Sequence, residues 1–177
     1  MVIIRCRQLY RQVKAGTVRL FIFNKNSCYV TPALGRLREG QMVDKIQMIG
    51  CAFLPIDKEK RKILISKRSM TKKYFPGFWE VIGGNLEFGE DFKDCIIREV
   101  KEEINCRIKG LQHLHSRVMY LNDLMYITIA YYGELLDKPI FNKSEISEIK
   151  WISEEELKNY DFCPGDIELL KLGFEKF

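Results

Sequence analysis

The sequence predicts an α/β fold, a mixed β-sheet covered by a few helices. Three observations predict it. Apolar runs rich in strand-forming residues recur at 46–56, 63–66, 80–82, 111–120, 124–135 and 149–152. Helical spacing is confined to 91–104 and to the segment after Pro164, apart from one short turn near 153. The two kinds of element do not alternate as regular βαβ units, which argues for a mixed sheet rather than a parallel one.

Taken in order, the first strand-like stretch is 18–23 in the N-terminal arm, and glycines at 35 and 40 mark the one plausible boundary. Run 46–56 reads as a buried strand. The charged turn 57–62 and the return strand 63–66 make it a hairpin. A loop punctuated by Pro76 and Gly77 leads to the short strand 80–82 and a glycine-rich turn, Gly83 to Glu90. The helix at 91–104 takes Phe92, Cys95, Ile96, Val100 and Ile104 as its apolar positions. Two long strands and a last strand at 149–152 follow. Ser153, with Glu156 three residues on, spells a capping box for a short helix, and Pro164 opens a final one.

Length and composition bound the function. A chain of 177 residues fits one domain with a real core, and 46% hydrophobic with 30% charged residues is ordinary for a soluble globular protein. No apolar run approaches the roughly 18 residues that span a bilayer, so no membrane partner is expected. The six cysteines (6, 28, 51, 95, 106 and 163) show no C-x-x-C pairing and read as free thiols of a reducing cytoplasm. Charge is uneven: residues 1–38 carry eight basic side chains and no acid, which leaves −3 of the net +5 for residues 39–177. We therefore divide the chain into a basic N-terminal extension, 1–41, of open role, and a domain at 42–177 beginning "MVDKIQ". Such an arm fits a nucleic-acid patch, a targeting segment or an incidental extension equally.

The chemistry concentrates at 83–106. Glu99, Glu102 and Glu103 lie at i, i+3 and i+4, within about a 100° arc of one helix face. A like-charge pair at about 4 Å costs roughly 4 kcal/mol at an effective dielectric near 20. A hard divalent cation such as Mg2+ or Mn2+ removes that repulsion. A solvated acidic face balanced by Lys93 and Lys101 is the simpler alternative for the helix alone. The glycine-rich turn beside it shifts the balance, because glycines admit close backbone approach and the helix N-terminus favours anions.

These residues resemble the Nudix box, G-x5-E-x7-R-E-U-x-E-E-x-G-U with U aliphatic. Gly84, Glu90, Arg98, Glu99, Val100, Glu102, Glu103 and Ile104 stand in register, so six of the seven fixed letters are present. Asn105 replaces the last glycine and Cys106 the last aliphatic residue. Asparagine is the next most tolerant residue for a left-handed helix C-cap, so the change is expected to cost little.

The resemblance implies a Nudix-type α/β/α sandwich, with the box loop and helix on one face, and a metal-dependent hydrolase that cleaves a diphosphate linkage in a nucleoside triphosphate or other nucleoside diphosphate derivative. It implies Mg2+, with Mn2+ as substitute, held by Glu99, Glu102, Glu103 and the Gly83 carbonyl. Glu99 is the implied general base and Arg98 the residue that orients the carboxylates. A further ligand is expected at Glu145, which matches a MutT-type glutamate upstream of Trp151; Glu148 is its rival. Substrate contacts are expected from Arg68, Trp79, Gly84 and Asp166, each with a plainer alternative: a strand-end charge, a core aromatic, a turn glycine and a helix N-terminal acid. His113 and His115 alternate in a strand and read as ordinary sheet residues sharing a face. Two other functions compete, a nucleotide-sensing binding module and an RNA 5′-end or cap hydrolase using the basic arm. The intact glutamates favour catalysis. A homodimer is compatible with the sequence.

Overall fold

The computed structural model describes residues 21–24, 27–30, 46–121 and 124–177. A short antiparallel hairpin, β1 (Phe21–Asn24) and β2 (Ser27–Val30), precedes the main sheet. It overlaps the strand expected at 18–23; the rest of that stretch, like most of the basic arm, lies outside the described residues.

β3 (Ile46–Asp57) is the hub of a seven-stranded mixed sheet. One edge pairs in parallel with β8 (Leu124–Leu135) from Ile46↔Leu124 to Pro55↔Gly133. The other edge pairs antiparallel with β6 (Ile82–Asn85), and its end turns into β4 (Lys62–Arg68). β7 (Ile108–Leu121) lies antiparallel on β8, and β9 (Ile146–Ile152) and β5 (Trp79–Glu80) lie antiparallel on β4. Proximity in sequence did not set this order, since β3 and β8 form a parallel pair whose partners, such as Ile46 and Leu124, lie 78 residues apart.

Alternation along β3 and β4 divides the core in two. Ala52, Leu54, Ile56, Ile63 and Ile65 face one way, joining Leu169, Leu170 and Phe174 of α2 (Asp166–Phe174). Cys51, Phe53 and Leu64 face the other way, joining Cys95, Ile96, Val100 and Ile104 of α1 (Phe92–Ile104). Each fully buried Leu or Ile contributes roughly 1.5–3 kcal/mol, so both helices are pinned to the sheet by the period-2 pattern. The result is the expected α/β/α arrangement, with α1 on one face and α2 on the other. No helix among the described residues is long and apolar enough to cross a membrane.

Several local expectations change. The single strand at 80–82 is two strands: the chain leaves β4 at Glu80 and joins β3 at Ile82, with Val81 between them donating its N–H to Asp166 Oδ2 at 3.2 Å. Gly83 and Gly84 are not in the turn but in β6, paired with Ala52 and Cys51. Phe92 is 38% exposed rather than part of the buried stripe. The final helix begins at Asp166, not Pro164, after Gly165 in a left-handed conformation (φ 88°). The Ser153–Glu156 capping box is present and opens a 3-10 helix, Glu154–Asn159.

Candidate active site

α1 carries the acidic residues, and its ends explain its position. Asp91 caps the N-terminus by accepting from Lys93 N (2.7 Å) and Asp94 N (3.0 Å). At the other end Asn105 is left-handed (φ 51°, ψ 41°) and donates its N–H to Lys101 O at 3.2 Å. Asparagine thus fills the conformation that the glycine of the box would take.

Two glycines let α1 lie against β6. At Gly84 an added Cβ would meet Glu99 Oε1 at 2.2 Å, so the missing side chain is the space Glu99 occupies. At Gly83, φ is +146° and a Cβ would stand 2.1 Å from the Cys51 carbonyl oxygen, so only glycine fits. The Gly83 N–H then donates to Glu103 Oε2 at 3.2 Å.

Arg98 organises the acids. Its Nε and Nη2 grip Glu90 in a two-pronged contact at 2.9 and 3.0 Å. Nη1 donates to Glu99 Oε1 (2.7 Å) and Glu102 Oε2 (3.3 Å), and Nη2 also donates to the Asn85 carbonyl at 3.1 Å. Such fork geometry is what guanidinium supplies and an ammonium does not. Arg98 hydrogen bonds hold the Glu90 carboxyl below its ordinary pKa, whereas burial pushes Glu99 up against the pull of Arg98.

Glu103 is the outlier. Withdrawal from water raises its pKa well above the usual value, and the Glu80 and Glu99 charges add to that. Among the described residues it forms no ion pair; Gly83 N–H is its hydrogen-bond donor. A carboxyl so placed either holds a proton or meets a cation.

The expected donors, carboxylates and the Gly83 carbonyl, are of the hard oxygen type that suits a divalent ion such as Mg2+. Among the described residues, however, no three acidic, thiol or imidazole side chains are already gathered as a cage. Two of the expected ligands are engaged elsewhere. Glu102 is 58% exposed and held by Arg98. Glu145 pairs with Lys72 instead of joining α1, and Glu148 is exposed on β9.

The expected substrate residues divide. Arg68 is not presented freely: Nη1 pairs with Glu80 Oε2 at 2.5 Å and Nε donates to the Tyr74 carbonyl at 3.0 Å. Trp79 is 7% exposed, edge-on to Tyr160 at 5.1 Å between ring centroids, so its face is core and not free to stack on a base. Asp166 is buried; besides Val81 N–H it faces Arg117 at 3.7 Å. Burial lifts its pKa to about 7. His113 and His115 do not share a face, because a bulge between them pairs them with the successive residues Tyr131 and Ala130.

Three residues went unnoticed in the sequence. Glu80, 15% exposed, stands between Arg68 and Glu103; a charged residue between the buried Trp79 and Val81 was its only local signal. Arg117 donates to the Gly165 carbonyl, and Lys72 reaches Glu145. Neither contact has a local signature. Cys51, Cys95, Cys106 and Cys163 are free thiols as expected.

Comparison with protein-family models matches residues 48–172 to the NUDIX domain. The chain belongs to the Nudix family. It is 24% identical over 123 residues to "Nucleoside triphosphatase NudI" of Klebsiella pneumoniae, covering 60% of this chain and 84% of that protein. It is 31% identical over 88 residues to "NAD-capped RNA hydrolase NudC" of Pseudomonas putida, covering 48% of this chain but only 30% of that protein. Among solved structures, the MutT Nudix hydrolase of Burkholderia pseudomallei superposes with a TM-score of 0.64 at 17% identity, covering 71% of this chain and 97% of that one. The MutT protein of Methanosarcina mazei gives 0.61 at 20%, covering 76% and 99%. These similarities show the Nudix fold and a Nudix hydrolase, in a family that acts on nucleotides and generally uses divalent metals such as Mg2+.

Proposed function

We propose that this Nudix hydrolase is a cytoplasmic, MutT-type pyrophosphohydrolase that cleaves a nucleoside triphosphate or a related nucleoside diphosphate derivative with Mg2+. The observation that carries the proposal is Glu103. It is drawn out of water with a raised pKa and, among the described residues, forms no ion pair; its neighbour Glu99 fills the space left by Gly84. Glu99, Glu102, Glu103 and the Gly83 carbonyl would hold the ion, joined by Glu145. A divalent ion there supplies positive charge to phosphate oxygens and makes a nearby water more acidic.

Glu99 is assigned as general base. Its pKa is raised by burial, which brings a carboxylate closer to the range useful for proton transfer at neutral pH. Arg98 fixes its orientation, and Gly84 gives it room. Arg68 neutralises Glu80 at the edge of the site, from which its remaining donors can face a phosphate. For Asp166 the structure supports bracing, since it ties Val81 to the start of α2; base reading gains no support from its contacts. The partial likeness to a nucleoside triphosphatase favours a small-molecule triphosphate over capped RNA, because it spans most of that relative's length.

The test is a panel of nucleoside triphosphates, dinucleotides, nucleotide sugars and capped RNA, each assayed with Mg2+ and with Mn2+. Release of phosphate or pyrophosphate from a triphosphate is expected. Turnover of capped RNA alone would replace this reading.

A further inference from the structure

We propose that Lys72 is a substrate-positioning residue, parked on Glu145 in the metal-free protein and transferred to a substrate phosphate when a divalent cation takes Glu145. The inference rests on the hydrolase reading above and on Glu145 as a ligand.

Four observations support it. First, the Lys72 ammonium pairs with the Glu145 carboxylate although the two lie 73 residues apart, and the lysine is only 29% exposed. Second, backbone hydrogen bonds tie the Lys72 partner to the end of α1: Glu145 N–H donates to the Asn142 carbonyl at 3.0 Å, and Asn142 N–H to the Glu103 carbonyl at 2.8 Å. Third, the backbone around it is tied down. Ser69 N–H donates to the Glu145 carbonyl at 3.0 Å, Lys72 N–H to the Ser69 carbonyl at 3.1 Å, and Arg68 Nε to the Tyr74 carbonyl at 3.0 Å. The four-carbon stem can therefore swing while its base stays fixed. Fourth, neighbouring lysines are committed elsewhere: Lys67 lies over the Trp79 ring and Lys73 over the Tyr74 ring, at 5.7 and 5.1 Å. Lys72 alone of the three turns to the carboxylates.

The consequence follows from charge. A divalent ion and an ammonium cannot share one carboxylate without strong repulsion. Once the ion holds Glu145, the part-buried Lys72 has lost its carboxylate partner and is open to another anion. The anion arriving at that place is the phosphate chain of the substrate, for which a lysine is a suitable point charge. Lys72 thus occupies the cation position before metal binds and the anion-binding position afterwards.

The test uses equilibrium binding, apart from turnover. Mn2+ affinity of the full chain is measured by calorimetry without nucleotide. Affinity for a triphosphate carrying a methylene bridge in place of the cleaved oxygen is then measured with saturating Mn2+. Lys72→Met is expected to bind Mn2+ about two- to fivefold tighter, the range of losing a part-exposed ion pair. It should bind the analogue about tenfold weaker or more, the range of a hydrogen bond to a charged group. Lys72→Arg should recover most of the analogue affinity. Unchanged Mn2+ affinity, or unchanged analogue affinity, in a folded Lys72→Met protein overturns the proposal. Glu145→Gln separates the premises: if it leaves Mn2+ affinity intact, Glu145 is not a ligand and the exchange falls with it. If Lys72→Met shows both binding differences from the wild type while the wild type hydrolyses nothing, the hydrolase reading fails and the exchange stands as a nucleotide-binding device.

Discussion

Replacing Arg98 with methionine should destabilise the metal-free protein by about 3 kcal/mol, the low end of what breaking a buried ion pair costs. The low end applies because Arg98 itself is 23% exposed. Its partners Glu90 and Glu99 are 13% and 14% exposed and would be left without their cation. Glu102, at 58% exposure, is excluded from that figure because water screens it. For a domain of this size the change lowers Tm by on the order of 6–12 °C. Urea denaturation at neutral pH with chelator present is the assay, and the m-value should be unchanged. Magnesium should recover part of the loss, since it neutralises Glu99 and Glu102 in place of the guanidinium. Arg98→Lys keeps the charge but loses the fork, and should still cost ~1.5 kcal/mol, one charge-assisted hydrogen bond. A loss below about 1 kcal/mol in Arg98→Met, the range of an exposed pair, would refute the reasoning that Arg98 is the brace of the acidic centre.

Other predictions follow from single contacts. Asn105→Gly should leave stability unchanged or slightly raised, while Asn105→Ala should cost roughly 1–2 kcal/mol for a left-handed backbone, both read by thermal melts. The Asp166 pKa is raised from 3.8 to about 7 on folding, so between those values the native state binds more protons than the unfolded one and stability falls as pH rises. The stability difference between wild type and Asp166→Asn should therefore shift in favour of the variant from pH 4 to pH 7.5; a pH-independent difference would contradict the assignment. Saturating Mg2+, at about 100 times its Kd, should stabilise the wild type by ~2.7 kcal/mol, and Glu103→Gln should abolish most of that gain in a thermal shift assay.

What the sequence disclosed and what it hid follow from the range of the interactions. The box residues were legible because their spacing is a helical spacing: Glu99, Glu102 and Glu103 share a face whatever the rest of the chain does. The Asn105 cap was legible because left-handed backbone is a local demand. The α/β/α layering was implied only by the family resemblance, because 46–56 reads as one mostly apolar run; its alternate residues are assigned to the two core faces by the structure. The break at Val81 was not legible, because it depends on Asp166, 85 residues later. Nor was the bulge that separates His113 from His115, or the core position of Trp79, fixed by Tyr160 and Phe162. Glu80, Arg117 and Lys72 take their roles from partners on other strands and loops, which no local pattern encodes. Glu145 was placed by its distance from Trp151, yet its carboxylate goes to Lys72, and only the folded loop shows that.

The central claim is that Glu102 and Glu103 hold the ion that makes phosphoanhydride hydrolysis possible. The direct measurement is Mg2+-dependent release of phosphate or pyrophosphate from nucleoside triphosphates by the wild type, Glu102→Gln and Glu103→Gln, with folding checked by circular dichroism. The account predicts turnover in the wild type and its loss in both folded variants. Undiminished magnesium-dependent release in both would contradict it.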